Sequence, residues 1–95
     1  MKILIIKIDL MANWVHSLKE KRMVVKSITS KLQNKFNISV AEIDNQDLHQ
    51  RITIGIVGIF LDTKIGHSMS ENIIDFVESS TDAQIINIEK ELNYY

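Results

Sequence analysis

One polar stretch, EIDNQDLHQR at residues 42–51, carries most of the side chains in this sequence that could do chemistry. It contains three acids, two glutamines, an asparagine, a histidine and an arginine, and it lies between two apolar runs. These groups could pair with cations, bind a ligand or hold a metal ion. The candidates for a polar network, together with the nearby His16, are Glu42, Asp44, Gln46, Asp47, His49 and Gln50.

A second group of charged residues is basic. These residues lie near the start of a helix, which the spacing of the apolar residues after them predicts. Cations at a helix start are disfavoured by about 0.3–1 kcal/mol each, because the helix dipole is positive there. We therefore expect negative groups nearby. Together with Arg51 of the polar stretch, the candidates for anion or RNA binding are Lys19, Lys21, Arg22 and Lys26.

Two interpretations connect the two groups of charges. The acids could pair with the bases and hold a turn against the helix, and Asp44 and Asn45 are natural turn formers. Alternatively, part of the basic group stays free for a phosphate or an RNA backbone. Lys19, Arg22 and Lys26 support this second interpretation because they fall along one edge of the helix.

A third interpretation is a metal site built from Glu42, Asp44, Asp47 and His49. Carboxylates and one imidazole suit manganese or zinc, but a flexible turn without paired histidines offers no fixed geometry. We therefore expect no catalytic residue, no metal and no cofactor. The alternative is an enzyme that binds a small anion or depends on a metal and uses this polar turn.

The elements that must position these residues can be predicted in order along the chain. Residues 2–11 are rich in isoleucine and lack helical spacing, which predicts a strand. Ser17 and Glu20 form a capping-box pattern ahead of an amphipathic helix. Residues 38–44 and 52–61 predict two further strands, of which the second contains two glycines.

The second half of the chain predicts one more helix and one more strand. Ser68 and Glu71 form another capping-box pattern just after Gly66, so we expect a short helix to begin there, followed by a strand at residues 83–90. The order βαββαβ predicts a single α+β domain over residues 1–95, a ferredoxin-like sandwich of a four-stranded antiparallel sheet with two helices on one face. This topology places the polar stretch beside the start of the first helix.

Composition excludes several classes of protein. The chain has 95 residues, 45% of them hydrophobic, which fits one globular domain and excludes a disordered chain. Its net charge of −1 gives no global attraction to nucleic acid, so such binding would need a local patch. Without cysteine there is neither a disulfide nor a thiolate zinc site. No segment approaches the roughly 20 apolar residues of a membrane span, so we expect a soluble cytoplasmic protein.

The sheet face that the helices leave open is also predicted to be apolar on its two central strands. Side chains alternate between the two faces of a strand, and the apolar residues expected on the open face are our candidates for a dimer face. They are Ile3, Ile5, Val57, Ile59 and Leu61. Exposed apolar patches of this size are uncommon in monomers, so we expect a homodimer through this face. The alternative is a monomer whose residues 92–95 fold partly across it.

Two stretches, HSLKEKRMVVKSI and KFNISVAEIDNQDLHQRITIG, resemble the signature stretches of the YlxP-like family of small bacterial proteins, a domain of unknown function. The resemblance covers nearly the whole chain, and both stretches occur at the right separation. It implies a ferredoxin-like fold and no assigned enzymatic activity. Because the genes of this family often lie near those for translation initiation and ribosome maturation, it also implies RNA or a ribosomal complex as the partner.

Overall fold

The computed structural model describes every residue from Met1 to Tyr95. Six elements follow one another in the predicted order βαββαβ, which confirms the α+β ferredoxin-like architecture. Their bounds are β1 Lys2–Met11, α1 Leu18–Lys35, β2 Ser39–Asp44, β3 Arg51–Phe60, α2 Thr63–Ser80 and β4 Gln84–Tyr94.

The four strands form one antiparallel sheet in the order β2-β3-β1-β4. Side chains alternate between its faces, and every second residue of β1 from Leu4 to Leu10 is buried. Ile52, Ile54 and Ile56 of β3 share that face and join both helices in one hydrophobic core. The opposite face has no helix over it. It is the open face of the sheet.

Helix α1 begins where the capping-box pattern predicts. Ser17, in an extended conformation with φ −146°, accepts a hydrogen bond from the backbone N–H of Glu20 at 3.1 Å. The Glu20 carboxylate accepts one in return from the backbone N–H of His16 at 2.8 Å. These two bonds satisfy amides that the helix itself leaves unpaired.

Helix α2 begins earlier than predicted. Its cap is Asp62, which accepts a hydrogen bond from the Ile65 N–H at 2.9 Å, so the prediction of a start near Ser68 is wrong. Gly66 does not stop the helix. A Cβ at Gly66 would lie 3.0 Å from Leu92 of β4, so the glycine allows the helix to approach the sheet closely. No helix here combines the length and the apolar character that a membrane crossing requires.

Strand β4 is longer than predicted and takes up the segment that was expected to cross the open face. Leu92 and Tyr94 pair with Leu4 and Lys2 of β1, and the Tyr95 N–H donates to the Met1 carbonyl at 2.8 Å. The alternative of a tail across the open face is therefore wrong, because residues of that tail continue the strand ladder at the sheet edge. The open face stays uncovered.

Candidate functional site

The centre of the predicted polar network is an ion pair between α1 and β2. Lys21 is only 1% exposed, and its Nζ lies 3.0 Å from Glu42 Oε2. The same ammonium donates a hydrogen bond to the backbone carbonyl of Asn45. Glu42 Oε2 accepts no hydrogen bond of good geometry, so the contact is an ion pair without a linear N–H···O alignment. For this pair the geometry agrees with the structural interpretation of the charges.

The turn between β2 and β3 is held by a chain of hydrogen bonds that starts at Asn45. Asn45 has φ 58°, in the left-handed region that asparagine tolerates better than most residues. Its side-chain amide donates to Thr53 Oγ1 at 2.8 Å, and the Thr53 hydroxyl donates to Asp9 Oδ1 at 2.6 Å. The network therefore runs from the first turn of α1 to the middle of the sheet.

Sequence reasoning did not identify Asp9 and Thr53 as members of this network. Thr53 is fully buried although it lies on the open face, between the core residues Ile52 and Ile54. The two residues are direct partners in the β1–β3 register, where their polar side chains meet in otherwise apolar central strands. That pairing was the available signal, but it needs the register of the sheet, which the sequence does not state.

The other polar residues of the stretch do not converge on one point. Gln50 turns back toward the loop before α1, donating to the carbonyls of Asn13 at 3.0 Å and Val15 at 3.2 Å. Asp44 accepts only from the neighbouring Asn45 N–H, at 2.8 Å. The side chains without a hydrogen bond or ion pair in this region are His16, Gln46, Asp47 and His49. No three histidine, aspartate or glutamate side chains lie close enough to hold a metal ion.

Three of the predicted basic residues form an exposed row on α1. Lys19, Arg22 and Lys26, the basic edge, are all exposed to solvent. The chain forms two ion pairs, Lys7–Glu89 and Lys21–Glu42, and neither includes a residue of the basic edge. The structure thus separates these three cations from Lys21, which is buried on the core side of the same helix.

Arg51 lies apart from the basic edge. It is the first residue of β3, pairs with Met11 and alternates with the buried residues onto the open face, whereas α1 lies on the other side of the sheet. With Met11, Asp47 and His49 it lines a surface hollow of about 470 Å³. Its Nε is buried and has no acceptor. The predicted anion-binding group is therefore divided between two faces of the sheet.

The open face carries a patch of apolar side chains on β1 and β3. Ile3 pairs with Ile59 and Ile5 with Val57, so the four side chains form a block. Ile59 is 66% exposed and Leu61, just beyond β3, is 83% exposed. We call these five residues the open-face patch. They are the residues that the sequence predicted for a dimer face.

One groove of about 640 Å³ crosses the open face and includes Ile5 and Val57 of the open-face patch. On the β2 and β3 side it is lined by Ser39, Ala41, Ile43 and Gly55, and on the β1 and β4 side by Lys7, Glu89 and Glu91. Lys7 Nζ is 3.6 Å from Glu89 Oε2. Small side chains on one half of the open face and long ones on the other give it an asymmetric relief.

Comparison with known proteins agrees with the resemblance stated above. Residues 3–90 match the model of a family described as a protein of unknown function, DUF503. The chain is also similar to the "Uncharacterized protein YlxP" of Bacillus subtilis (strain 168), with 40% identity over 63 residues, which cover 66% of this chain and 68% of the relative. The chain belongs to the DUF503 family of YlxP-like proteins.

Proposed function

We propose that this protein is a non-enzymatic binding module that works as a homodimer, with a second copy covering the open-face patch. The observation that carries this proposal is the exposure of the patch on two central strands. Monomers seldom leave a contiguous apolar surface of this kind in water, and central strands that are apolar on both faces are usually covered on both. A second copy is the simplest cover for so short a chain.

The free edge of β4 is a poorer surface for self-association than the open face. Two copies of β4 could pair antiparallel and form one continuous sheet. Directly opposite residues then point to the same face, so a symmetric pairing is centred on one residue that lies opposite its own copy. Centring the pairing on Glu89, Lys90 or Glu91 then sets a glutamate opposite a glutamate or a lysine opposite a lysine. Like charges directly opposite each other are destabilising, and charged edges of this kind oppose edge-to-edge pairing.

Light scattering tests the proposal directly. A homodimer has about twice the 10.9 kDa mass of the chain. A single 10.9 kDa species at high micromolar concentration would contradict the proposal.

A second proposed activity is binding of an RNA backbone by the basic edge, in the cytoplasm and as part of a ribosome-associated complex. The basic edge supports it because Lys19, Arg22 and Lys26 form no ion pair, although the helix dipole disfavours a cation in the first turn, where Lys19 lies, by about 0.3–1 kcal/mol. Glu42 of β2 compensates Lys21 instead. Three unpaired cations in a row suit phosphates, which are spaced along an RNA strand.

The two proposed activities are compatible in geometry. Helix α1 lies on the side of the sheet opposite the open face, so a dimer through that face leaves both basic edges in solvent. Two edges on one particle would strengthen RNA binding through a higher effective concentration, without any new contact. A pull-down from lysate with and without nuclease distinguishes RNA from a protein partner. Retention of a small anion or a metal instead would favour the enzymatic alternative at the polar turn.

A further inference from the structure

We infer that the two copies pack with a two-fold axis that runs parallel to the strands, between β1 and β3. The inference rests on the proposed homodimer and specifies its arrangement. In it, the small-residue half of one open face lies against the charged half of the other.

The relief of the open face can be read from two rows that cross the sheet. Along the first row Ser39, Val57, Ile5 and Glu91 are successive neighbours, and along the second Ala41, Gly55, Lys7 and Glu89. Each row begins with a small side chain on β2 and ends with a glutamate on β4. The rows therefore become taller and more charged from one edge of the sheet to the other.

An axis between β1 and β3 exchanges these two central strands between the copies, and it exchanges β2 with β4 in the same way. Val57 then meets the partner's Ile5, and Ile59 meets the partner's Ile3. Both contacts are apolar, and each occurs twice by symmetry. The centre of the interface thus consists of the open-face patch packed on itself, as in two aligned sheets about 10 Å apart.

The same axis fits the flanks of the two faces together. Ser39 lies opposite the partner's Glu91, and Ala41 lies opposite the partner's Glu89. Ser39 and Ala41 are small and exposed, so they leave room for these long side chains. The Lys7–Glu89 ion pair enters the interface with its charges already compensated, and the Ser39 hydroxyl can donate to the second glutamate.

An axis that runs across the strands at the centre of the patch makes a worse interface. Placed through the row of Val57 and Ile5, it sets Glu91 opposite the partner's Glu91. It also buries Lys7 against the partner's Ile3. One contact repels and the other desolvates a cation on an apolar side chain, and both are unfavourable. The axis parallel to the strands avoids both of these contacts.

Cysteine cross-linking tests the axis, because the chain has no cysteine of its own. Ser39 and Glu91 are both exposed in one copy, so Ser39→Cys and Glu91→Cys leave the core intact. We expect mild oxidation of a mixture of the two variants to shift the mass on a denaturing gel from 10.9 kDa to about twice that value. Each variant oxidised alone should stay uncrosslinked, since Ser39 and the partner's Ser39 lie at opposite edges of the interface.

The control uses Gln84→Cys in place of Glu91→Cys. Gln84 lies on the same strand as Glu91 but about 23 Å away from it, at roughly 3.3 Å per residue. This mixture should not cross-link. If light scattering finds a dimer but Ser39→Cys cross-links to itself, or the Ser39→Cys and Glu91→Cys mixture does not cross-link, the axis is wrong while the homodimer stands. If every sample has the mass of one chain by light scattering, the homodimer itself is wrong.

Discussion

The ammonium of Lys21 lies 3.0 Å from the carboxylate of Glu42, and this contact joins the first turn of α1 to strand β2. Its burial explains why so polar a stretch follows β2. A buried ammonium needs an anion and further acceptors, and Glu42 and the Asn45 carbonyl supply them. The polar residues of the turn are therefore explained by its contact with the start of α1. The basic edge lies on the exposed side of the same helix and forms no ion pair.

Removing the anion of this pair should destabilise the protein strongly. Glu42→Gln leaves the Lys21 ammonium buried without a counter-charge, and breaking a buried pair in this way costs about 3–5 kcal/mol. We expect the lower end of that range, because the Glu42 side chain keeps 19% of its exposure to water. Urea unfolding followed by fluorescence of Trp14, the single tryptophan, measures the change.

Arg22→Ala is the matched control for this measurement. Arg22 lies one residue after Lys21 on α1, but it is exposed and forms no ion pair. Its removal should change the free energy of unfolding by no more than about 0.5 kcal/mol. Equal effects of Glu42→Gln and Arg22→Ala would show that the buried pair does not hold the turn.

Substitutions at Asn45 should separate its backbone role from its side-chain role. Asn45→Gly loses the hydrogen bond to Thr53, which is worth about 0.5–1.5 kcal/mol. Asn45→Ala loses the same bond but, unlike Asn45→Gly, keeps a Cβ in the left-handed region, at a cost of about 1–2 kcal/mol relative to glycine. We expect thermal unfolding to rank both the wild type and Asn45→Gly above Asn45→Ala. Equal melting temperatures for the two variants would argue against a backbone requirement at this turn.

Neutralising the basic edge should weaken RNA binding without affecting folding. Lys19→Ala and Lys26→Ala each remove one exposed, unpaired cation, so melting should stay nearly constant. Each lost phosphate contact should lower the slope of log affinity against log salt by about 0.7 for a single strand. Fluorescence anisotropy of a labelled RNA oligonucleotide over a range of salt concentrations measures both affinity and slope.

Lys31→Ala provides the charge-matched control for the RNA experiment. Lys31 belongs to α1 as well, but its ammonium donates to the Ser80 carbonyl at 3.1 Å, away from the basic edge. This variant should bind RNA as the wild type does. Affinity that is indifferent to salt and to Lys19 and Lys26 would end the RNA proposal for this edge.

Divalent metals should not bind tightly at the polar turn. Its acids are dispersed, with Glu42 occupied by Lys21 and no three potential ligands close together. Titration calorimetry with manganese, zinc and magnesium should therefore detect no stoichiometric binding tighter than roughly millimolar. Saturable binding that disappears in both Asp47→Ala and His49→Ala would instead revive the metal-dependent alternative.

The elements of the fold were largely readable from the sequence, because each rests on a local signal. Strand β1 has the predicted bounds, and the Ser17 cap is the predicted start of α1. The predicted start of α2 is wrong because Asp62 caps the helix, ahead of the capping-box pattern of Ser68 and Glu71. The end of β4 was missed because its polar residues pack at a sheet edge, where alternation of apolar side chains is weak.

The candidate site was less predictable, because it depends on helix phase and strand register. Lys21 precedes Ile28 and Leu32 by seven and eleven residues, so its place on the buried side of α1 could have been inferred from spacing. The Asp9–Thr53 contact could not, since it depends on the register of β1 against β3. Local patterns reveal which groups are polar, and register decides which of them meet.

The most direct test of the account is the molar mass of Ile59→Lys beside that of the wild type. Ile59 lies in the open-face patch and is 66% exposed, so a lysine there is harmless to a single copy but becomes buried in the proposed dimer. Ile65→Lys is the control, a similar change on the exposed side of α2. By light scattering at high micromolar concentration we predict about twice 10.9 kDa for the wild type and Ile65→Lys, and close to 10.9 kDa for Ile59→Lys. A monomeric wild type, or a dimer that Ile59→Lys leaves intact, would contradict the account.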